Sequence, residues 1–399
     1  MNFDRLQTTK TVDVAGQRVL VRADLNVPVQ NGQVSDATRL ERLLPGLTDL
    51  AQRGAKVIVM SHFGRPKGQR NPDMSLRSVT ASLSKLIGQP VSFAEDCIGE
   101  TAQQAVAGMA NGSICVLENL RFHAGEEANE PAFAAQLAAL GDIYVNDAFS
   151  AAHRGHASTE GLAKLLPHYA GPLMMEEIEA LRSALDNPTR PTVALVGGAK
   201  VSSKIPVLTN MVGKVDSLII GGGMANTFLL AKGVAVGKSL AEPDFKDTAI
   251  EIMAKADAVG CKIVLPSDAV ISEKFEAGAP SEVVDVNAVP DSQMILDVGP
   301  QSVADMTALL AESRTLLWNG PLGAFEIDPF GKGTFALAKA AAEQTSAGNL
   351  KSIAGGGDTV AALNAAGVTE QFSYVSTAGG AFLEWLEGRE LPGVVALTA

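Results

Sequence analysis

The stretch VALVGGAKVSSKIPVL, from Val193 to Leu208, is an apolar run that ends in two glycines and is followed by lysines at Lys200 and Lys204. A strand, a glycine turn and a helix in this order are typical of α/β proteins, where the backbone amides of the turn can bind an anion. The stretch has neither the GxxxxGK[ST] nor the GxGxxG spacing of the common phosphate-binding motifs. The fold class therefore depends on whether the rest of the chain repeats this unit.

Short apolar runs do recur along the chain, separated by longer segments rich in Ala and Leu. The runs are continuous rather than alternating, which indicates strands buried on both faces, as in parallel sheets covered by helices. Their alternation with helices predicts an α/β fold with parallel sheets. The further runs are RVLVRADL from Arg18, KVIVMSH from Lys56, ICVLENL from Ile114, DIYVNDA from Asp142, DSLIIGGG from Asp216, KIVLPSD from Lys262, QMILDVG from Gln293, RTLLWNG from Arg314, KSIAGGG from Lys351 and SYVSTAGG from Ser373.

The composition limits the class of protein. The chain has 399 residues, about the length expected of two domains, and 46% of them are apolar. The formal net charge of −12 argues against a nucleic-acid partner, which would require a basic surface. The N-terminus has no signal pattern and no apolar run reaches the roughly 18 residues that span a bilayer, so we expect a cytoplasmic protein without a membrane partner. Cys97, Cys115 and Cys261 lack metal-ligand spacing and are predicted to be small core residues in a reducing compartment.

A candidate domain boundary lies between Gly171 and Pro191. The segment LMMEEIEALRSALD has the apolar spacing of a helix, and NPTRP then ends the helical pattern before the run at Thr192. Two interpretations remain open from the pattern alone. The helix is either a stiff connector between two domains or an ordinary surface helix within one domain.

The two halves of the chain differ in their chemistry. All five histidines lie before Tyr169, whereas the GGG runs at Gly221 and Gly355 both lie in the second half. In the first half, polar residues follow the apolar runs. Each alone is ordinary for a turn, a cap or a solvated arginine, but together they predict a basic site for a carboxylate or phosphate. They are Asp24, Asn26, His62, Arg65, Arg121 and Arg154.

In the second half, the runs lead into LVGGAKVSSK, LIIGGGMANTF and SIAGGGDTVAAL, three glycine loops that each precede a helical segment. Such loops let backbone amides and helix N-termini approach an anion. Asp358, next to Thr359, could hold Mg²⁺, although a helix cap is its simple interpretation. Lys200 and Lys204 lie four apart, on one face if their segment is helical.

Asn319 and Glu326, in WNGPLGAFE, could accept hydrogen bonds from ribose hydroxyls, although a turn explains the Asn-Gly-Pro sequence equally well. The two halves together predict a domain for Mg²⁺ and a nucleotide, and a second domain for a small anionic substrate. Phosphoryl transfer suits this arrangement because it depends on positioning and on charge neutralisation. An ionised carboxylate acceptor would need no general base.

The motifs VLVRADLNVP, SHFGRP, LENLRF, GGAKVSSK, GGGMANTF, WNGPLGAFE, GGGDT and STAGGAFLEWLEG occur in the order seen in the phosphoglycerate kinase family. The chain resembles this family from Val19 to Gly388. The resemblance implies two Rossmann-like three-layer domains with parallel sheets, joined by an interdomain helix. It implies domains at residues 1–172 and 191–380, a connector at 173–190, and a segment at 381–399 that returns to the first domain.

The resemblance also implies an activity: reversible, Mg²⁺-dependent phosphoryl transfer from 1,3-bisphosphoglycerate to ADP, with hinge closure of a monomer. It implies catalytic roles for Arg39, Lys200 and Lys204, and a metal ligand at Asp358. The implied substrate-binding residues are Asp24, Asn26, Arg39, His62, Phe63, Gly64, Arg65, Arg121 and Arg154. The implied nucleotide-binding residues are Gly198, Lys200, Lys204, Gly222, Asn319, Glu326, Gly356, Gly357, Asp358 and Thr359.

The sequence departs from the family pattern at two positions. Ser203 stands where many relatives have Asp, which removes a secondary contact to the nucleotide or metal. Ala378 stands where many relatives have a third glycine. If that backbone requires a positive φ, alanine is strained there by about 1 kcal/mol.

Two other functions compete with the kinase. A nicotinamide-dependent dehydrogenase could use a similar α/β framework, but no GxGxxG opens a βαβ unit with an acidic residue about 20 positions later. A non-catalytic, two-lobed anion-binding protein would leave Asp358 and Lys204 without a purpose.

Overall fold

The computed structural model describes residues 3–399, which divide into two compact units. The N-terminal unit comprises the chain up to Ile178 together with Glu390–Ala399, and the C-terminal unit comprises Glu179–Arg389. Each contains a six-stranded sheet in which every neighbouring pair of strands is parallel. The predicted α/β class with parallel sheets is therefore confirmed.

The sheet of the N-terminal unit has the strand order β5-β6-β4-β1-β7-β8, and a small antiparallel hairpin, β2-β3, lies outside it. The strands are β1 (Arg18–Arg22), β2 (Val29–Gln30), β3 (Gln33–Val34), β4 (Lys56–Met60), β5 (Val91–Ala94), β6 (Ile114–Leu117), β7 (Ile143–Asn146) and β8 (His168–Ala170). The helices are α1 (Thr38–Gln52), α2 (Arg77–Ile87), α3 (Gly99–Ala107), α4 (Ala124–Glu127), α5 (Pro131–Ala138) and α6 (Pro172–Leu185).

Helix α1 follows directly from the spacing of its leucines. Leu40, Leu43, Leu47 and Leu50 recur every three or four residues and are all buried, so they form one apolar stripe. They belong to one core cluster with the valines of β1 and β4. Because β1, β4, β6 and β7 are buried almost throughout, their polar residues can reach solvent only where the strands end.

The main sheet of the C-terminal unit has the order β11-β10-β9-β15-β16-β17. Its strands, and those of a second sheet, are β9 (Thr192–Val196), β10 (Ser217–Ile220), β11 (Lys262–Val264), β12 (Asp268–Ser272), β13 (Glu282–Asp285), β14 (Met294–Val298), β15 (Thr315–Asn319), β16 (Lys351–Gly355) and β17 (Tyr374–Ser376). The helices are α7 (Ile205–Val212), α8 (Gly223–Ala231), α9 (Lys246–Val259), α10 (Pro300–Glu312), α11 (Lys332–Ser346), α12 (Gly357–Ala366) and α13 (Gly380–Leu386).

The run QMILDVG was expected to form a buried strand in a parallel sheet. It does form a strand, but the expectation that this strand pairs in parallel is wrong. The run forms β14, which pairs antiparallel with β12 in a separate three-stranded sheet, β13-β12-β14. The first three residues of β14 are only half-buried. An antiparallel sheet tolerates exposure on one face, and the run of apolar letters does not distinguish it from a parallel strand.

Helix α6 contains the division between the units, which falls after Ile178. Its first turn is held by the buried carboxylate of Asp147, which accepts hydrogen bonds from the amides of Leu173 (2.7 Å) and Met174 (3.2 Å). At the C-terminus, α14 (Pro392–Val395) belongs to the N-terminal unit, and the amide of Gly393 donates to Ala152 O at 2.8 Å. The domain boundaries given by the resemblance remain a prediction.

Two smaller expectations concern the cysteines and the membrane. The three cysteines are free and buried, as predicted for core residues. No helix among residues 3–399 combines the length and the apolar character that crossing a membrane would require.

Each parallel sheet has a point at which the direction of winding changes, and in open α/β sheets such a point leaves a crevice at the carboxyl edge. The chain builds the first sheet outward from β1, with β4 on one side and β7 on the other, and the second outward from β9, with β10 and β15 on its two sides. In open α/β sheets, ligands bind where the direction of winding changes in this way. The loops after β1 and β7, and those after β9 and β15, are therefore the places to look for ligand-binding side chains.

Asp297 of β14 is a buried carboxylate with an unusual acidity. Only 2% of the residue is exposed, and it accepts hydrogen bonds from the amides of Gly333 (2.8 Å) and Val298 (2.9 Å). Burial raises the pKa of Asp297 to about 7, although these two hydrogen bonds act in the opposite direction. A raised pKa means that the folded state favours the neutral acid. This contribution to stability is complete below the ordinary pKa of 3.8 and is lost progressively as the pH rises from there to about 7.

We predict that Asp297→Asn reduces the loss of stability of the C-terminal unit between pH 5 and pH 8 by about 2 kcal/mol, because asparagine has no proton to lose. Urea unfolding followed by tryptophan fluorescence measures this unit selectively, since both tryptophans, Trp318 and Trp385, lie within it. The unit contains no histidine that would titrate in the same range. Parallel pH profiles for the variant and the wild type would contradict the assignment.

Candidate active site

The polar and basic residues predicted in the first half follow four neighbouring strands of the N-terminal sheet. Asp24 and Asn26 follow β1, and the segment from His62 to Arg65 follows β4. Arg121 follows β6, and Arg154 follows β7. Because parallel strands end at the same edge of a sheet, these loops share one side of the unit.

Two of these loops are joined by direct contacts around Asn26. Asp24 Oδ1 accepts from the Asn26 amide at 3.1 Å, and Asn26 Oδ1 accepts from the Gly64 amide at 3.0 Å. Arg39, in the first turn of α1, donates from Nη1 to Asn26 O at 2.8 Å and lies 3.4 Å from Asp24 Oδ2. Ser150, after β7, donates to Asp24 Oδ2 at 2.6 Å. The Asp24 carboxylate thus connects the loops on both sides of the crevice and orients Arg39.

Asn119 holds the next part of the site and was not predicted from the sequence. Its Oδ1 accepts from the amides of Phe63 and Arg121 at 3.1 Å, and its Nδ2 donates to Phe63 O at 2.7 Å. Arg121 in turn donates to Gly64 O at 2.9 Å. The available signal was an asparagine directly after a buried strand, in LENLRF, where its amide can satisfy several backbone groups.

His62 is fixed in one protonation state by Arg22, a second residue missed in the sequence. Arg22 is 1% exposed, and its Nη2 lies 3.0 Å from His62 Nδ1. An arginine only donates, so Nδ1 must accept, and the proton of the neutral ring is on Nε2. Burial, followed by the charges of Arg22, Arg121 and Arg154, holds the pKa of His62 well below its usual value. The signal was an arginine inside an otherwise apolar run, VLVRADL.

Burial raises the pKa of Glu126, which lies among these charges, whereas Arg22 and Arg121 lower it. Glu126 is fully buried and accepts from the amide and hydroxyl of Ser158, at 3.0 and 2.6 Å, and Ser158 Oγ also accepts from Arg22 Nε at 2.9 Å. Burial and the nearby arginines lower the pKa of His156 to about 4. His62 and His156 are therefore neutral at pH 7, and the arginines carry the positive charge. Such a site binds a small, multiply charged anion.

Arg65 and Arg154 complete the cationic residues of this edge. Arg65 is exposed, and Arg154 is half-buried with its Nε 3.1 Å from His153 Nε2. Burial lowers the pKa of Arg121 to about 10, which leaves it charged at pH 7. His62, Arg65, Arg121 and Arg154 therefore lie on the loops of one sheet edge, and Arg65 and Arg154 keep part of their surface open to solvent.

In the C-terminal unit, the glycine loops follow β9, β10 and β16 and precede α7, α8 and α12, as predicted. Two glycines are required by the backbone. Gly222 has φ 70°, and a Cβ added there would lie 2.5 Å from Gly198 O. Gly356 has φ 100°, and a Cβ there would lie 2.6 Å from Asn319 Nδ2. The absence of side chains lets these loops pack closely and leaves their amides accessible to an anion.

The side chain of Lys204 is positioned beside these loops by a hydrogen bond to Asn319. Its Nζ donates to Asn319 Oδ1 at 2.5 Å, while Asn319 Nδ2 donates to Gly355 O at 2.7 Å. Thr359 Oγ1 donates to the same carbonyl at 2.9 Å and accepts from the Gly320 amide at 2.7 Å. Both ends of the Asn319 side-chain amide therefore already make hydrogen bonds within the protein, and its contact with a ribose stays a prediction.

Burial and the neighbouring carboxylates have opposite effects on the pKa of Lys204. Burial lowers the pKa of Lys204, whereas Asp358 and Glu387 raise it. Lys200 is exposed. The two lysines do not share a helical face, because the segment 201–204 is a turn and α7 begins only at Ile205. One lysine is therefore fixed and one is extended into solvent.

Two cavities meet at this edge. The first, which we call the glycine cavity, has a volume of about 290 Å³ and is lined by Gly198, Lys200, Lys204, Asn319, Gly357 and Thr359. The second, the apolar cavity, has about 330 Å³ and is lined by Gly222, Leu229, Phe275, Met294, Leu322 and Glu326. Gly198 and Asp358 line both cavities. A ligand with an anionic part and a flat apolar part fits the pair, and Asp358 offers an exposed carboxylate oxygen where the two meet.

A separate group, Asp96, Cys97 and His123, brings a carboxylate, a thiol and an imidazole within 4.8 Å. Asp96 Oδ1 lies 2.6 Å from His123 Nε2 and accepts from the Cys97 amide at 2.7 Å. Burial raises the pKa of the Cys97 thiol well above its usual value. A thiol binds metals after deprotonation, so hydrogen bonding explains this group better than a metal site does.

The two departures from the family pattern are accommodated by the structure. Ser203 is exposed and donates to Lys200 O at 2.8 Å, so it supports the turn between the lysines. The non-glycine residues with positive φ among residues 3–399 are Asn31, Lys67 and Asn129, and Ala378 is not one of them. The strain considered for Ala378 is therefore absent.

Comparison with known proteins identifies the family. The profile described as phosphoglycerate kinase matches residues 9–389. The phosphoglycerate kinase of Agrobacterium fabrum is 61% identical over 97% of this chain and 96% of its own, and that of Bradyrhizobium diazoefficiens is 60% identical over 99% of each chain. The solved structure of phosphoglycerate kinase from Coxiella burnetii is 42% identical, with a TM-score of 0.92 over 98% of both chains. The chain therefore belongs to the phosphoglycerate kinase family, as its ordered motifs indicate.

Proposed function

We propose that this chain transfers a phosphoryl group reversibly from 1,3-bisphosphoglycerate to ADP, giving 3-phosphoglycerate and ATP in the ATP-generating step of glycolysis. The observation that carries the proposal is that the family match extends over residues 9–389 and includes both the basic edge of one unit and the glycine loops of the other. In the forward direction, a β-phosphate oxygen of ADP forms a bond to the phosphorus, and the acyl oxygen leaves as a carboxylate. No proton moves, so no general base is required.

The N-terminal unit would bind the phosphoglycerate. The guanidinium groups of Arg65, Arg121 and Arg154 suit the phosphate, since a planar fork of donors matches its oxygens. The Asp24 carboxylate can accept from a hydroxyl of the glycerate, and neutral His62 can donate from Nε2. These assignments are supported by the common sheet edge and by the protonation state that Arg22 imposes on His62.

The C-terminal unit would bind the nucleotide. The apolar cavity suits an adenine ring, and Glu326 at its lining can accept from a ribose hydroxyl. The amides of Gly356 and Gly357, at the N-terminus of α12, and the ammonium of Lys200 suit the phosphates. Thr359 and Asn319 would act indirectly, because their side chains hold the loops and Lys204.

Catalysis would come from charge placed around the transferring group. Phosphoryl transfer passes through a state in which negative charge spreads over the equatorial oxygens, and fixed cations stabilise that state. Arg39 and Lys204 suit this role because both are already oriented, Arg39 by Asn26 and Asp24, and Lys204 by Asn319. Lys200, exposed and extended, would approach the transferring phosphoryl once the nucleotide is bound.

Magnesium fits the same site. Mg²⁺ prefers oxygen ligands, and Asp358 provides an exposed carboxylate between the glycine cavity and the apolar cavity. When bound, Mg²⁺ would neutralise charge on the nucleotide phosphates. Asp358 would hold it there, close enough to Lys204 for the two charges to interact.

The proposal includes motion and a cellular setting. The two binding regions belong to different units, and we propose that closure about a hinge in residues 173–190 accompanies transfer. We propose a monomeric enzyme of the cytoplasm that acts on small molecules. The net charge of −12 supports the absence of a nucleic-acid partner.

A coupled assay tests the function directly. With 3-phosphoglycerate, ATP and Mg²⁺, the enzyme should produce ADP, and omission of the 3-phosphoglycerate should abolish this production. A dehydrogenase would instead require a nicotinamide cofactor, and a binding protein would turn over nothing. Failure to form ADP with all three components present would overturn the proposal.

We predict that Arg39→Ala lowers kcat about 100-fold or more, with a much smaller change in KM for 3-phosphoglycerate, because the charge that it stabilises develops in the transition state. Arg42→Ala is the matched control. It removes an arginine from the same helix, three residues on, whose ion pair is with Glu176 at 3.1 Å. Steady-state kinetics that show only an increase in KM for Arg39→Ala would assign Arg39 to substrate binding alone.

We predict that Asp358→Asn raises the Mg²⁺ concentration for half-maximal activity several-fold, because an amide oxygen is a weaker ligand for a hard cation than a carboxylate. Asp247→Asn is the control, since Asp247 is also an exposed acidic residue in the first turn of a helix of the same unit. Magnesium titrations at fixed ATP measure the effect. Superimposable curves for Asp358→Asn and the wild type would leave Asp358 with a structural role only.

A further inference from the structure

Glu242 is fastened to the body of the C-terminal unit. It follows Leu240, whose carbonyl accepts from Asn226 Nδ2 at 3.0 Å, and its own amide donates to Thr227 Oγ1 at 3.0 Å. Asn226 and Thr227 belong to α8 and are both buried. The backbone of Glu242 is therefore fixed relative to the helix whose N-terminus contributes to the glycine loops.

The carboxylate of Glu242 reaches across to the loop that carries the two lysines. Its Oε2 accepts from the Ser202 amide at 2.8 Å, and its Oε1 accepts from Ser202 Oγ at 2.6 Å. Although partial burial acts in the opposite direction, these hydrogen bonds and the charge of Lys200 lower the pKa of Glu242. Glu242 is therefore ionised at pH 7 and makes charge-assisted hydrogen bonds at both oxygens.

Hydrogen bonds to Ser202 can order the whole turn that carries the two lysines. Ser202 lies midway between Lys200 and Lys204, in a turn closed by the Lys204 amide donating to Val201 O at 2.8 Å. Ser203 Oγ closes the turn on the other side by donating to Lys200 O at 2.8 Å. Fixing Ser202 therefore fixes the directions in which both lysines leave the turn.

The position of a carboxylate here has an electrostatic cost. A negative charge near Lys200 opposes the binding of a nucleotide's phosphates, so on charge alone Glu242 should weaken binding. Glu242 assists nucleotide binding only if the free energy gained by ordering the turn exceeds the free energy lost through charge repulsion. The two effects predict opposite results when the side chain is removed, and an experiment can separate them.

We propose that Glu242 is a positioning residue for the nucleotide phosphates, acting through Ser202 on the turn that carries Lys200 and Lys204. The inference rests on the proposed function, since it takes a nucleotide as the ligand of this loop. Glu242 is not a catalytic residue: its side chain contacts the loop and not the cavity lining. A role of this kind affects the nucleotide and leaves the phosphoglycerate half of the site unchanged.

The test measures binding of Mg·ATP by calorimetry and, separately, KM for 3-phosphoglycerate, in variants of the full chain. Glu242→Ala removes both acceptors, and we expect Kd for Mg·ATP to rise about tenfold while KM for 3-phosphoglycerate stays within about twofold of the wild type. Glu242→Gln keeps the length of the side chain and one carbonyl oxygen, so it should restore Kd to within about threefold. A Glu242→Ala protein that binds Mg·ATP as tightly as the wild type, or more tightly, would overturn the proposal.

Two further variants keep the test interpretable. Asp244→Asn removes a negative charge from an exposed residue of the same segment, and it should leave Kd unchanged if position rather than charge matters. Ser202→Ala removes one of the two hydrogen bonds and should raise Kd about threefold, even if Glu242→Ala does not fold. A double variant that combines Glu242→Ala with Ser202→Ala should have the same Kd for Mg·ATP as Glu242→Ala alone, because both changes remove the same contact. Additive losses would contradict the proposed route through Ser202.

The binding measurement does not depend on turnover. If the wild type binds Mg·ATP but does not phosphorylate 3-phosphoglycerate, the proposed function fails while the effect of Glu242 on nucleotide binding can still be measured. If the wild type is an active kinase and Glu242→Ala binds normally, the function stands and the positioning role is rejected.

Discussion

The structure depends on one constraint, which is that the central strands of both sheets are buried on both faces. Polar side chains that bind a ligand can therefore lie only where these strands end. All five residues of β9 and β15 are buried, as are all four of β6 and β7. Parallel pairing then brings the ends of neighbouring strands to one edge. The winding outward from β1 and from β9 opens a crevice at that edge in each unit. Both ligand-binding regions follow from the same rule.

Within each crevice, side chains with several hydrogen-bonding atoms hold the loops. Asn119 binds three segments of the N-terminal unit, and Asn319 joins Lys204 to the end of β16. Asp147 and Asp297 do the same for helix starts, accepting from the first amides of α6 and α11. The hydrogen bonds of these side chains are made to other groups of the protein. Their effect is that the residues facing the cavity are oriented before a ligand arrives, which reduces the cost of organising them on binding.

The two units achieve a positive site in different ways. In the N-terminal unit, burial and then the nearby arginines lower the pKa values of His62 and His156, so that guanidinium groups supply the positive charge. In the C-terminal unit, the positive potential comes from backbone amides, helix N-termini and two lysines, with Asp358 and Glu387 near Lys204. Guanidinium groups suit a small substrate that must be gripped from several sides, whereas amides in glycine loops can approach a chain of phosphates closely.

The sequence by itself determined the α/β class, the central strands, the glycine turns and the residues at the strand ends, because all of these depend on neighbours within a few positions. The edge strands β5 and β8 were missed, since VSFA and HYA are short and only partly apolar. Only the tertiary structure decided the antiparallel pairing of β14, the burial of Arg22 against His62, and the use of Asn319 by Lys204, 115 residues away. The link between Glu242 and Ser202 also spans 40 residues. Tertiary packing determines which distant residues can form a hydrogen bond, so a local sequence pattern cannot predict such a pair.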